Sequence, residues 1–174
     1  MTTLLIASLL TSPVLSQRPS EVPTGFRDEM RSLVPWTIYN KERPPAMTVT
    51  SKGIKMTLPH VPEGWPYAYQ WSGARRKITL DVARYGRLVA DVPEITKGSY
   101  AHFEIAVLDA KDQEVKGFRS ESVTEPGQIQ FDLSTQLLPA TYRLDVRLIV
   151  GGSNEGASAT YRWVKAFSSN PSRG

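Results

Sequence analysis

A chain of 174 residues, 40% of them hydrophobic, is sized for one domain with a core of its own. It contains no cysteine, which excludes a disulfide framework, a thiolate zinc site and a cysteine nucleophile; its two histidines, His60 and His102, exclude a multi-histidine metal centre. The net charge of +4 comes from 21 Lys and Arg scattered among 17 Asp and Glu, with no block of like charges, so composition argues against a nucleic-acid partner.

The first residues, MTTLLIASLLTSPVLS, are apolar and uncharged. They resemble the apolar centre of a secretory signal peptide, with Val14 and Ser16 as small residues before a cut near Gln17. Residues 1–16 are therefore expected to be a signal peptide, and the protein to be secreted or periplasmic. No Lys or Arg precedes Arg18, so the alternative is an ordinary N-terminal strand. The run falls short of the roughly 20 apolar residues of a membrane span, and none is expected. Residues 17–34 read as an exposed lead-in, with one or two turns of helix over Gly25–Leu33.

From residue 35 to 168 the pattern is β. Short runs of β-branched and aromatic residues recur between Gly, Pro, Asn and Asp. Strands are expected at Trp36–Tyr39, Met47–Thr50, Ile54–Leu58, Tyr67–Trp71, Lys77–Asp81, Leu88–Val92, Tyr100–Asp109, Glu114–Phe118 and Ile129–Leu133. Thr50–Gly53, Asp109–Asp112 and Glu125–Gly127 supply hairpin turns, and Pro93 and Gly98 separate two further strands. Asp81–Tyr85 reads as a short helical turn, and Ser134 as the cap of a one-turn helix.

The longest signal is Thr141–Phe167. Tyr142, Leu144, Val146, Leu148 and Val150 alternate with Arg143, Asp145 and Arg147, one apolar face against one largely polar face. After Gly151–Gly156, Ala157, Ala159, Tyr161, Trp163 and Phe167 share a face. The two strands are expected to pair as a long hairpin, which needs a second layer to cover it. Residues 169–174 are expected to be a flexible tail. The sum is an all-β fold: an antiparallel β-sandwich of two packed sheets.

Trp71-Ser72-Gly73, the run RKITLDVARYGRLVADV at 76–92, FDLS at 131–134 and LPATYRLDVRL at 138–148 give a strand order that resembles the galactose-binding-like jelly roll over Trp36–Phe167. Many carbohydrate-binding modules have that fold. The resemblance implies a glycan-binding role without catalysis. Such modules often hold a structural calcium with an Asp on the last strand. Here that strand reads Ala159–Lys165 with no carboxylate, and Arg162 and Lys165 would repel the cation. No metal or cofactor is carried over.

The segment His60–Arg76 holds the candidate site. Trp65, Tyr67, Tyr69 and Trp71 are two residues apart and, in an extended chain, lie on one face at intervals of about 6.7 Å. Aromatic faces pack on the C–H faces of pyranose rings, while polar neighbours fix the hydroxyls. Arg75 and Arg76 add a means of pairing with a uronate or sulfate. The same spacing describes a strand facing the core. That reading is favoured for the complete row, with a mixed case of Trp71 and Tyr69 inside and Trp65 and Tyr67 near a loop. Trp65, between Gly64 and Pro66, is expected to be the most open. Trp36 and Trp163 are expected in the core, and His102 as a satisfied structural histidine.

The function expected is a non-catalytic module recognising a polysaccharide or glycan through Trp65, Tyr67, Tyr69, Trp71, Arg75 and Arg76. The alternative is a structural or protein-interaction sandwich without a sugar site. Least favoured is a small hydrolase using Glu104 with Asp109 or Asp81 with Asp91, or a lyase using Tyr67, His60 and Arg75. No phosphate loop, nucleophile elbow or dinucleotide fingerprint is present.

Overall fold

Alternate side chains of a strand point to opposite faces, and the apolar members of each alternating run meet in one core. A computed structural model describes residues 25–168. The expected signal peptide and the tail lie outside the described residues. In chain order the strands are β1 (Arg27–Asp28), β2 (Thr37–Ile38), β3 (Ala46–Thr50), β4 (Gly53–Leu58), β5 (Tyr69–Asp81), β6 (Arg87–Val92), β7 (Glu94–Ile95), β8 (Ser99–Leu108), β9 (Glu114–Arg119), β10 (Gly127–Asp132), β11 (Thr141–Ser153), β12 (Ala157–Tyr161) and β13 (Trp163–Phe167).

One layer is a five-stranded sheet in the order β2-β5-β11-β8-β9. Facing it are two four-stranded sheets, β1-β13-β6-β10 and β3-β4-β12-β7. These two are halves of one layer: β12 runs on into β13 past Arg162, and β6 into β7 past Pro93. Pro93 has no N–H to continue a ladder, and around it the inward phase changes. Ala159 and Tyr161 point into the core before the break, and Val164 after it. Every strand pairing among the described residues is antiparallel.

The core is filled from both layers. Leu144, Val146, Leu148 and Val150 of β11 and Phe103 and Ile105 of β8 meet Ile54, Met56, Leu88, Ala90 and Tyr161 from the other side. Tyr161 crosses the sandwich: its hydroxyl donates to the Ile149 carbonyl at 2.7 Å and lies 3.4 Å from that of His102. Burial raises that hydroxyl far above the ordinary tyrosine range. Tyr161→Phe keeps the core volume and loses this tie. It is expected to cost about 1–2 kcal/mol of unfolding free energy, measured as a lower urea midpoint at unchanged slope.

Several expectations are corrected. Thr141–Phe167 is not a hairpin: β11 pairs with β5 and β8, and β12 with β4 and β7, so the Gly156 turn carries the chain from one layer to the other. Glu125–Gly127 likewise crosses between layers, since β9 pairs with β8 and β10 with β6. The expected strands Tyr67–Trp71 and Lys77–Asp81 merge into one, β5, which begins at Tyr69 and runs in unbroken register with β11. Gly73 does not interrupt it; a Cβ there would stand 2.2 Å from the Leu148 carbonyl, so glycine is what permits the close approach.

Gly25–Leu33 forms no helix. Asp28 of β1 accepts hydrogen bonds from Met30 N and Trp36 Nε1 and pairs with Arg76, while Met30 is buried. These anchors override a weak local helical preference. The one-turn helix is a 3₁₀ turn at Leu133–Thr135 capped by Asp132, not by Ser134. Trp36 is in the core as expected. Trp163 is not: it sits half-buried on the outer side, with Lys165 Nζ 4.6 Å above its ring.

Candidate functional site

The aromatic row lies where β5 begins. Odd-numbered residues of β5 face away from the core, and Tyr69 and Trp71 sit in register with Ser153 and Gly151 of β11. The intervening even positions turn inward and are polar. Gln70 is 1% exposed; its Nε2 donates to the Pro59 and Ser153 carbonyls, and its Oε1 accepts from Arg43 Nη2. Ser72 Oγ donates to the Asn40 carbonyl. Asn154 Nδ2 holds the Tyr67 carbonyl at 2.8 Å, and Asn40 Nδ2 that of Trp71 at 3.2 Å.

This hydrogen bonding turns the rings outward. Tyr67 is 65% exposed, Tyr69 66% and Trp71 41%. The reading of the complete row as core therefore fails, and so does the placing of Tyr69 and Trp71 inside. The order of exposure also differs from expectation. Trp65 is partly buried, with the Arg43 guanidinium 5.1 Å over its ring and Tyr67 edge-on at 5.7 Å. Residues 65–68 are irregular rather than extended, so Trp65 and Tyr67 belong to a loop that precedes the strand. The four aromatics, with Asn40, Glu42 and Arg43, line a hollow of about 590 Å³.

Arg75 and Arg76 are neighbours on a strand and so point to opposite faces. Arg75 faces outward and grips Asp145 through Nε at 3.1 Å and Nη2 at 2.8 Å. Arg76 ties β5 to Asp28, with Phe26 against its guanidinium. Neither lines the aromatic hollow.

Beyond Trp71 the outer face of the five-stranded sheet carries residues the sequence reading did not select. Tyr100 lies over Gly151, where a Cβ would meet its hydroxyl at 2.3 Å. It stacks on His102 at 5.7 Å. Tyr39 covers Arg147 at 4.4 Å and tilts against Trp71 at 5.8 Å. Arg147 donates to Asp145, Glu114 and the Tyr39 hydroxyl. Burial works against the Arg147 charge, yet Glu114 and Asp145 outweigh it and hold the group above its ordinary range. Burial raises the Tyr39 hydroxyl. The alternation Arg143, Asp145, Arg147 announced this polar face; nothing local announced that Tyr39 would cover it.

His102 is buried and is not satisfied as expected. Nδ1 has no hydrogen-bond partner among the described residues, and Nε2 stands 3.5 Å from Glu104 Oε1. That contact is the main cause holding the Glu104 carboxyl below the usual range, with Arg147 adding to it against the effect of burial.

The carboxylates considered for hydrolysis are committed elsewhere. Asp109 accepts from the Lys111 and Gln113 amides and Asp81 from the Ala83 amide, while Asp91 pairs with Arg162. For a lyase, Tyr67 lines the aromatic hollow, Arg75 lines a different one, and His60 lies in the open beside Glu155.

The fold is the β-sandwich of carbohydrate-binding modules. A family 11 carbohydrate-binding module from Clostridium thermocellum, solved with a β-1,3-1,4-mixed-linked tetrasaccharide, matches at TM-score 0.57 and 11% identity, over 84% of this chain and 98% of that one. A family 15 xylan-binding module matches at 0.56 and 11%, over 84% and 97%. A Cellvibrio japonicus xylanase solved with xylopentaose matches at 0.55 and 11%, over 86% of this chain and 29% of the enzyme. The jelly-roll resemblance read from the sequence thus holds for the fold. No family model matches the chain, and no curated protein sequence does. Among the described residues, no helix is long and apolar enough to cross a membrane.

Proposed function

We propose that this domain is a non-catalytic module that binds a polysaccharide or glycan at the hollow formed by Tyr67, Tyr69, Trp71 and Trp65. The observation that carries the reading is the inversion at the start of β5: a glutamine is buried while the aromatic residues on either side of it face solvent. Leaving that much ring surface in water forgoes burial worth about 1.5–3 kcal/mol per large side chain. Grouped exposed apolar surface of this kind marks a ligand groove or an interface. Flat rings beside the polar groups of Asn40 and Glu42 suit a pyranose, whose ring face is apolar and whose rim is hydroxylated. The sugars in the crystals of proteins with this fold point to β-linked glycans as the first ligands to try. Arg76, committed to Asp28, is left out of the contact set. Export to the cell surroundings, where such polymers are met, fits the apolar start of the chain.

The test is acrylamide quenching of tryptophan fluorescence with and without soluble mixed-linkage β-glucan, xylan and a wider polysaccharide panel. Trp71 is expected to be quenched readily, and one of the polymers to protect it. If no glycan alters quenching of an accessible tryptophan, the rings serve a protein interface instead.

A further inference from the structure

β5 carries a second feature on the same face as Tyr69 and Trp71. Four residues beyond Trp71, about 13 Å along the strand, Arg75 and then Lys77 face outward. With Lys41, Thr37, Pro35 and Ile38 they line a separate hollow of about 510 Å³. Its lining holds three cations and no carboxylate. The aromatic hollow, by contrast, is lined by one acid, Glu42, and one base, Arg43.

We propose that this cationic hollow binds a carboxylate or sulfate group carried on the glycan, making the ligand an acidic polysaccharide. The inference rests on the aromatic hollow being a glycan site and adds the class of glycan. Three features of the charges support it. Lys41 has no ion-pair partner among the described residues, so its ammonium is available. Arg75 spends Nε and Nη2 on buried Asp145, which fixes the guanidinium plane and leaves Nη1 without an acceptor. Lys77 pairs with Asp112, but both groups are well exposed, and such a pair exchanges readily for a better-placed anion. A fixed arginine flanked by two lysines is a suitable set for a planar carboxylate or a sulfate. The linear order along β5, rings first and cations after, lets one extended polymer meet both.

The experiment compares two polymers that differ only in charge: glucuronoxylan, and the same polymer after chemical reduction of its carboxyl groups. Binding to the full chain is measured calorimetrically at low salt. The acidic form is expected to bind about tenfold more tightly, and the difference to vanish in Lys41→Gln/Lys77→Gln and in about 1 M salt, where the screening length is about 3 Å. Equal affinity for the two polymers, and likewise for a sulfated xylan and its unsulfated parent, overturns the acidic assignment and leaves the aromatic site standing. A second arm titrates D-glucuronate and inorganic sulfate while following backbone amide shifts. Changes at Thr37, Lys41 and Lys77 with one anion or the other identify carboxylate or sulfate as the recognised group. No change with either removes the hollow as an anion site. Shifts with the small anions but binding of neither polymer, nor of any member of the wider polysaccharide panel, overturn the glycan assignment of both hollows.

Discussion

Replacing Asp145 with alanine is expected to lower the unfolding free energy by about 3–5 kcal/mol. Asp145 is fully buried in the middle of β11, on the outer face of the five-stranded sheet. Its carboxylate takes two contacts from Arg75 and one from Arg147 Nε at 2.9 Å. The Arg147 side chain is only 10% exposed, and the Tyr39 ring lies over it. With Asp145 gone, Arg147 keeps Glu114 but loses the acceptor at Nε, and Arg75 loses the one carboxylate it pairs with among the described residues. Removing one member of a buried ionic group costs far more than the group is worth, because the remaining charge stays out of water without its partner. Asp145→Asn separates charge from shape: it preserves the volume and one acceptor, and is expected to lose nearly as much. Asp145→Val/Arg147→Met removes the charge together with the more buried of its two partners, leaving Arg75 and Glu114 to the solvent they already reach, and is expected to recover part of the loss. Urea unfolding followed by tryptophan fluorescence gives all three values. A loss below about 1 kcal/mol for Asp145→Ala would mean that water reaches the network.

What could be read from the sequence, and what could not, follows from the range of the interactions involved. Alternation along Tyr142–Val150 gave the correct inward face of β11, because period two is a local property of a strand. It carries no information about which strand lies alongside. The supposed hairpin of β11 and β12 therefore fell into two layers, joined face to face through Tyr161. Residues 72–76 stood between two expected strands, yet β5 runs through them, and at Gly73 the backbone of β11 occupies the space a side chain would have needed. The aromatic row posed the sharpest case. Spacing of two fits a binding platform and a core strand equally, and the choice depends on where Gln70 and Ser72 find acceptors. Those acceptors are Pro59, Ser153 and Asn40 carbonyls, distant in the chain and invisible to any local pattern. Tyr39 and Tyr100 were missed for the same reason. Where a polar residue is buried and its aromatic neighbours are not, the rule that apolar side chains go inside has been broken, and such breaks gather at functional sites.

Trp71→Ala is expected to weaken glycan binding by about 30-fold, roughly 2 kcal/mol, while leaving the fold intact. Trp71 stands at the meeting point of the aromatic hollow and the sheet face: it lines the hollow with Tyr69 and touches Tyr39. Its backbone is held by the β11 register and by Asn40 Nδ2, neither of which needs the indole. With 41% of its surface already in water, truncation opens no closed cavity, so thermal stability is expected to fall by only a few degrees. Trp65→Ala makes the contrasting control. Trp65 is wedged between Arg43 and Tyr67, and the hydrogen bonds of Arg43 to Gln70 and Pro59 hold the loop in place. Removing that indole is expected to loosen the loop, lowering stability and binding together. Tyr69→Phe separates ring from hydroxyl: if stacking dominates, it binds nearly as well as the unaltered protein, and Tyr69→Ala does not. Calorimetric titration against the polymer that protects Trp71 from acrylamide reads all four variants. Unchanged affinity in Trp71→Ala, with the fold retained by near-ultraviolet circular dichroism, would remove the aromatic hollow as the site.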